Sequence, residues 1–215
     1  MREAIIQKVM DKKVVAIVRG VYGEDCINLA KALYAGGIEL LEVTFDQSKP
    51  EALEKTSETI RSMVETLGDK MAFGAGTVTS LEMLELAKNA GAQFIVSPDT
   101  KEAVIKATVA AGMVSMPGAM TPTEILEAHS YGADFVKVFP TSNLGASYIK
   151  AIRVPINHVR LLAVGGVNEK NIGEFLKAGA NGAGVGGNLV NKTWIANGEF
   201  DKITALAEEF CRNAQ

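Results

Sequence analysis

The segment HSYGADFVKVFP, residues 129–140, contains the pattern that decides the fold. A helical stretch ends at Gly132, and a short run rich in β-branched and aromatic residues begins directly after it. Glycine suits a helix end at which the chain turns at once through a left-handed conformation. Pro140 then closes the run, because proline cannot continue a central strand. The segment therefore predicts a helix, a tight turn and a buried strand.

The same arrangement recurs at LYAGGIELLEVT (33–44), KNAGAQFIVSP (88–98), VAAGMVSMPG (109–118) and LKAGANGAGVGG (176–187). Three further strands are predicted at VVAIVRG (14–20), MAFGAGT (71–77) and RLLAVGG (160–166), which makes eight. Eight alternating β/α units predict the α/β class and a (β/α)8 TIM barrel, with a doubly wound open sheet as the alternative. We expect a single domain over residues 1–215, with an N-terminal helix and a C-terminal helix.

The composition is that of an ordinary globular domain, with 47% hydrophobic and 22% charged residues among 215. The net charge of −3 gives no electrostatic reason to expect nucleic acid or an anionic membrane as a partner. Cys26 and Cys211 stand alone, which favours a reducing compartment. Residues 1–13 read as a charged amphipathic helix and not as a signal peptide. Together with the lack of a long apolar run, this predicts a cytoplasmic protein.

Two helix starts carry hydroxyl residues before an early glutamate, as a capping box does. The first is Thr79-Ser80-Leu81-Glu82, and the second is Thr121-Pro122-Thr123-Glu124. Pro122 also suits the first position of a helix.

Four chemically distinctive residues stand at or near the ends of predicted strands, where TIM barrels place their sites: Arg19, Glu42, Thr77 and Lys137. Side chains alternate between the two faces of a strand. If the faces that carry Arg19, Glu42 and Lys137 point inward, these three charges meet at the barrel mouth. Their surplus of one positive charge predicts an anionic ligand.

Lys137 lies in a strand that is apolar on both faces, and an isolated buried ammonium is costly. It is either a salt-bridged or snorkelling strand-end residue, or a functional one. Apolar neighbours and a nearby cation lower the pKa of a lysine, so that a neutral amine becomes available to attack a carbonyl. The resulting iminium withdraws electrons and permits carbon–carbon cleavage. Glu42 is then the candidate general acid and base.

Paired glycines end the last two predicted strands, Gly165-Gly166 before Asn168 and Gly186-Gly187 before Asn188. They make either tight turns or a phosphate site, which TIM barrels commonly form in these two loops. Glycine allows backbone N–H groups to approach an anion closely, so both pairs together favour phosphate.

Two other kinds of site are not supported by the sequence. Gly182, Gly184 and Gly187 match GxGxxG, but they lie inside the last strand and no βαβ unit follows. His129 and His158 have no partners at metal-ligand spacing. We therefore expect no metal, and we do not interpret these glycines as a dinucleotide site.

The sequence resembles the 2-keto-3-deoxy-6-phosphogluconate (KDPG) / 4-hydroxy-2-oxoglutarate (KHG) aldolase family from Val14 to about Leu189. The resemblance is carried by LEVTF (41–45), GAGTVTS (74–80), FIVSP (94–98), MPGAMTPTE (116–124), KVFP (137–140) and VGGVN (164–168). It implies a class I aldolase, a homotrimer of (β/α)8 barrels with no metal and no cofactor. The implied substrate is a small keto acid or phosphosugar acid.

The resemblance also implies roles for individual residues. Lys137 of K-x-F-P would form the Schiff base and Glu42 of E-V-T would shuttle protons. The remaining implied residues line the substrate pocket (Thr77, Pro98, Pro117 and Phe139) or bind phosphate (Gly165, Gly166, Gly186 and Gly187).

Three positions depart from the family pattern. Asp46 stands where many members have arginine, and Arg19 is expected to take over the contact with the substrate carboxylate. Val164 and Gly187 stand where many members have hydroxyl residues that donate to phosphate, so backbone N–H groups are expected to bind it alone.

These departures leave the substrate open. The sequence is compatible with cleavage of KDPG to pyruvate and glyceraldehyde 3-phosphate, or of KHG to pyruvate and glyoxylate. The related 2-keto-3-deoxy-6-phosphogalactonate aldolases are an alternative. A phosphosugar isomerase or epimerase with Glu42 as base, and a non-catalytic phosphosugar sensor, are alternatives of other classes.

Overall fold

The computed structural model describes residues 2–215, in which parallel strands alternate with helices. The strands are β1 (Val14–Val18), β2 (Leu40–Thr44), β3 (Ala72–Gly76), β4 (Phe94–Val96), β5 (Val114–Met116), β6 (Gly118–Ala119), β7 (Val136–Val138), β8 (Leu161–Val164) and β9 (Gly182–Val185). The helices are α1 (Arg2–Lys12), α2 (Gly23–Ala35), α3 (Pro50–Leu67), α4 (Leu81–Asn89), α5 (Glu102–Ala110), α6 (Pro122–Ser130), α7 (Gly145–Arg153), α8 (Ile172–Lys177), α9 (Lys192–Ala196) and α10 (Phe200–Asn213).

The strands form one sheet in the order β5-β4-β3-β2-β1-β9-β8-β7-β6. Only Pro117 separates β5 from β6, so these two short strands occupy one strand position in the barrel. This position pairs with β4 on one side, through β5, and with β7 on the other, through β6. The carbonyl of Pro117 still accepts a hydrogen bond of 2.8 Å from the Lys137 N–H. The sheet thus closes into the predicted (β/α)8 barrel, and the doubly wound alternative is wrong. Nine strands appear instead of eight because proline interrupts one of them.

The turns from helix to strand follow the predicted glycine rule. At five of these turns a glycine has positive φ, between 74° and 106°: Gly37, Gly91, Gly112, Gly132 and Gly179. Other residues adopt this conformation only with strain. At these five turns the helix can therefore end and the next strand can begin within a few residues.

The barrel interior holds a layer of large apolar side chains that is separate from the layer between sheet and helices. The predicted N-terminal helix is present as α1, while Met1 lies outside the described residues. Ile5, Ile6 and Val9 of this helix belong to the interior layer and close the amino-terminal end of the barrel. Helix α1 is held there by ion pairs of Arg2 with Asp134, at 2.8 Å, and of Lys8 and Lys12 with Glu39, at 2.8 and 2.6 Å.

One of the two predicted capping boxes is present. Thr121 and Glu124 exchange the expected hydrogen bonds at the start of α6, with Pro122 at the first helical position. At α4 the predicted capping box is absent. Ser80 is the N-cap residue and accepts a hydrogen bond from the Met83 N–H, so Glu82 lies one position too early to complete a box.

The C-terminal helix α10 is present, and its Thr204 hydroxyl donates a hydrogen bond to the carbonyl of Ala32 in α2. In the part of the chain that the structure describes, no helix has the length and apolar character that a membrane crossing needs.

Candidate active site

A cavity of about 420 Å³ opens at the carboxyl ends of the strands. It is lined by residues from β1, β2, β7, β8, β9 and the loops that follow several strands: Ile17, Arg19, Glu42, Thr77, Pro98, Lys137, Phe139, Val164, Gly165, Gly166, Val167, Gly184, Gly186, Gly187 and Asn188. The distinctive residues on four separate strands are thus brought to one place.

Lys137 projects from the middle of β7 into the barrel and is only 8% exposed. Its neighbours Val136 and Val138 face the outer apolar layer, while Phe135 lies in the interior layer below it. The ring of Phe139 lies near the amine, with its centroid 4.8 Å from Nζ. The amine is therefore reached only through the cavity and lies against apolar walls.

Glu42 comes from the middle of β2 and is 2% exposed. The strand register places it beside Ile17 of β1 and Gly74 of β3. The carboxylate needs the space above Gly76, since a Cβ added there would lie 2.6 Å from Oε1 of Glu42. The glycine in the GAGT motif thus makes room for a carboxylate inside the barrel.

Burial shifts the pKa values of Lys137 and Glu42 in the directions that favour their neutral forms. The pKa of Lys137 is lowered, chiefly by loss of hydration and further by the Arg19 cation, while Glu42 opposes the shift. The pKa of Glu42 is raised, again chiefly by burial, against the opposing effect of Lys137 and Arg19. An amine that loses its proton easily and a carboxyl that holds one share a single cavity, which suits nucleophilic attack coupled to proton transfer.

Arg19 and Thr77 form the rim on the side of β1 and β3. Arg19 follows the last residue of β1, and its Nη2 lies 3.5 Å from Oγ1 of Thr77. Thr77 has a φ of 59°, which is rare for a β-branched residue and costs conformational energy. This backbone turn places the hydroxyl beside the guanidinium, so the two can bind one polar group together.

The two glycine loops face the cavity from the side of β8 and β9. Gly165 and Gly166 have positive φ, 100° and 75°, and the Asn188 amide links the loops by donating to the carbonyl of Val167, at 3.1 Å. Among residues 2–215, six backbone N–H groups of these loops have no hydrogen-bond acceptor: those of Gly165, Gly166, Val167, Gly186, Gly187 and Asn188. Unpaired N–H groups around a cavity are suitable donors for an anion.

Residues 5–206 match the model of the family described as KDPG and KHG aldolase. The chain belongs to this family. Its members are aldolases, which are carbon–carbon lyases, and so is this enzyme. The aldolase is 36% identical to the 2-dehydro-3-deoxy-phosphogluconate aldolase of Dickeya dadantii over 86% of its own chain and 84% of that protein. It is 34% identical to the 2-dehydro-3-deoxy-6-phosphogalactonate aldolase of Escherichia coli over 81% and 83% of the two chains.

A solved structure shows the same barrel with a bound keto acid. The KDPG aldolase of Legionella pneumophila, with pyruvate captured as a covalent carbinolamine, has a TM-score of 0.83 to the aldolase and 29% sequence identity. The aligned region covers 94% of this chain and 96% of that one. Similarity over nearly the full length places the two barrels in one structural class.

Most residues singled out in the sequence line the aldolase cavity, but Pro117, Asp46, His129 and His158 do not. Pro117 lies between β5 and β6 and is not part of the lining. Asp46 is partly buried and accepts hydrogen bonds from the N–H and hydroxyl of Ser48, at 2.9 and 2.6 Å, which chiefly lower its pKa. His129 and His158 contact each other edge to face, with ring centroids 5.2 Å apart, outside the cavity. No group of three or more potential metal ligands occurs within residues 2–215.

Proposed function

We propose that the aldolase cleaves 2-keto-3-deoxy-6-phosphosugar acids, with KDPG as the principal substrate, through a Schiff base on Lys137. The observation that carries the proposal is the buried amine with a lowered pKa in the same cavity as the buried carboxyl of Glu42. Cleavage of KHG to pyruvate and glyoxylate uses the same chemistry. The phosphogalactonate acid is the alternative substrate, since a relative of similar identity bears that name.

The reaction begins when the neutral amine of Lys137 attacks the C2 carbonyl of the keto acid. Loss of water from the carbinolamine gives an iminium, which draws electrons from the C3–C4 bond. The bond breaks as the Glu42 carboxylate accepts the proton of the C4 hydroxyl, and the aldehyde leaves. Glu42 then returns a proton to C3 of the enamine, and water releases pyruvate and the free amine. The proton transfers at the C4 hydroxyl and at C3 are thus both assigned to Glu42, the acidic residue of the cavity lining.

Two groups of donors match the two anionic ends of such a substrate. Arg19 and Thr77 lie together at one rim and suit the carboxylate next to the carbonyl. The unpaired N–H groups of the two glycine loops lie at the other side and suit a phosphate. Val164 and Gly187 supply no hydroxyl, so the backbone performs this part of the binding.

Borohydride trapping with pyruvate tests the mechanism, because pyruvate is the product of every substrate considered. We expect a reduced adduct on the peptide that contains Lys137, detected by mass spectrometry of the intact protein and its peptides. A panel of KDPG, its galactonate epimer and KHG would then rank the substrates by kcat/KM. A folded protein without an adduct would disprove the Schiff base and favour an isomerase or a sensor.

Replacing Arg19 by alanine should weaken pyruvate binding and raise the pKa of Lys137. The guanidinium would no longer hold the carboxylate, so we expect KM for the keto acid to rise about tenfold, as for a lost charged hydrogen bond. The Arg19 cation lowers the pKa of Lys137, so its removal should move the half-maximal pH of trapping upward. An unchanged KM would remove Arg19 from carboxylate binding.

We also propose a homotrimer in the cytoplasm. The sequence motifs shared with the trimeric aldolases support the assembly, and the two free cysteines, Cys26 and Cys211, suit a reducing compartment. Size-exclusion chromatography with light scattering would measure the number of subunits.

A further inference from the structure

A second cavity, of about 230 Å³, adjoins the active site at the end of β1. It shares Ile17, Arg19, Gly186 and Gly187 with the main cavity, and adds Val190 and Lys192. Two of its six lining residues are cationic and none is acidic. The turn at Gly186-Gly187 is therefore a common wall, with the catalytic cavity on one side and this cationic cavity on the other.

The backbone of Lys192 has a defined position, although its side chain is exposed. It is the first residue of α9, whose N-terminal N–H groups are capped by Oδ1 of Asn191. Its ammonium lies over the end of β1, because a Cβ added at Gly20 would come within 3.3 Å of Nζ. Within residues 2–215, Lys192 forms no salt bridge and no side-chain hydrogen bond. The lysine thus presents an uncompensated charge beside the glycine turn.

We infer that Lys192 binds the terminal phosphate of the substrate, as a counter-ion to the backbone N–H groups of the two glycine loops. Val164 and Gly187 offer no hydroxyl donor, and neutral N–H groups leave most of a phosphate charge unbalanced. A flexible lysine at the shared wall supplies that charge. The inference deepens the proposed function and depends on it for the identity of the ligand.

This assignment makes Lys192 a specificity-determining residue that has no part in the chemical step. Lys137 and Glu42 act at C2, C3 and C4, whereas Lys192 acts on the distal end of the substrate. Its contribution should therefore be confined to phosphorylated substrates and should appear in KM and not in kcat.

The test uses Lys192→Ala, with Lys177→Ala as the matched control. Lys177 is an exposed lysine in the last turn of α8, far from both cavities at the amino-terminal end of the barrel. In the condensation of pyruvate with glyceraldehyde 3-phosphate, we expect KM for the aldehyde to rise about tenfold in Lys192→Ala, with kcat within about twofold. Unphosphorylated glyceraldehyde should react equally well with both variants and the wild type. Lys192→Arg should restore most of the affinity, because it retains the charge.

Calorimetry with inorganic phosphate separates this inference from the proposed function. Weaker phosphate binding in Lys192→Ala, together with a pyruvate adduct in the wild type, supports both. Weaker phosphate binding without any pyruvate adduct supports the phosphate contact and overturns the aldolase mechanism. Unchanged phosphate binding, or an equal loss for phosphorylated and unphosphorylated aldehydes, overturns the role of Lys192.

Discussion

Lys137→Met should abolish the aldolase reaction while leaving the barrel folded. Methionine has a similar length and fits the apolar surroundings, but it has no amine to attack a carbonyl. We expect kcat/KM to fall by on the order of 10⁴-fold or more, as for the loss of a catalytic nucleophile, and no borohydride-trapped adduct. Lys150→Met, on the exposed surface of α7, is the control and should retain full activity.

We expect the loss of activity to be chemical in origin and not a result of unfolding. Because the pKa of Lys137 is lowered in the folded protein, the folded state binds this proton less tightly than the unfolded chain does. The cost of the buried ammonium therefore grows as pH falls from the ordinary lysine pKa to the lowered one, and it is constant below that. Lys137→Met removes that cost, so its melting temperature at neutral pH should equal or exceed that of the wild type.

Lys137→Arg separates the covalent role from an electrostatic one. Arginine keeps a positive charge in the cavity but cannot form the Schiff base. Activity above a few per cent in this variant would contradict the covalent mechanism and support the isomerase alternative, in which the lysine is only a cation.

Glu42→Gln should separate formation of the adduct from the proton transfers that follow it. The amide keeps the shape of the side chain but cannot accept or return a proton. We expect pyruvate still to be trapped on Lys137, whereas exchange of its methyl hydrogens with deuterated water should slow by about 10²- to 10⁴-fold. Proton magnetic resonance of pyruvate measures the exchange directly.

The same variant should change the titration of Lys137. The Glu42 carboxylate raises the pKa of this lysine, so its removal should move the half-maximal pH of trapping downward, opposite to Arg19→Ala. Glu54→Gln, on the exposed side of α3, provides the control and should change neither the exchange nor the titration. Methyl exchange at the wild-type rate in Glu42→Gln would assign the proton shuttle to another group.

Much of the site could be predicted because strand geometry is regular. Once the strands were located, alternation showed that Arg19, Glu42 and Lys137 would meet at the barrel mouth if their faces pointed inward, and the structure brings the three to one cavity. The glycine that recurs after five of the helices was equally informative, because a left-handed turn restricts the choice of residue. Both signals are local in sequence.

What could not be predicted depends on contacts between distant segments or on backbone conformation. Thr77 adopts positive φ although its residue type disfavours it, and Pro117 divides one strand position without opening the barrel. The sequence does not indicate that Lys192 lies near the cavity, because its position over Gly20 depends on the path of the chain after β9. Pro117 was assigned to the pocket by its motif, yet the cavity lining excludes it.

Helix α1 closes one end of the barrel, and the active-site cavity opens at the other end. Ile5, Ile6 and Val9 seal the base, so water and substrate must use the same entrance to reach Lys137. A keto acid that fills this entrance would therefore also block the path by which water reaches the site. Bound to Lys137 as proposed, the keto acid would exclude bulk water from the amine.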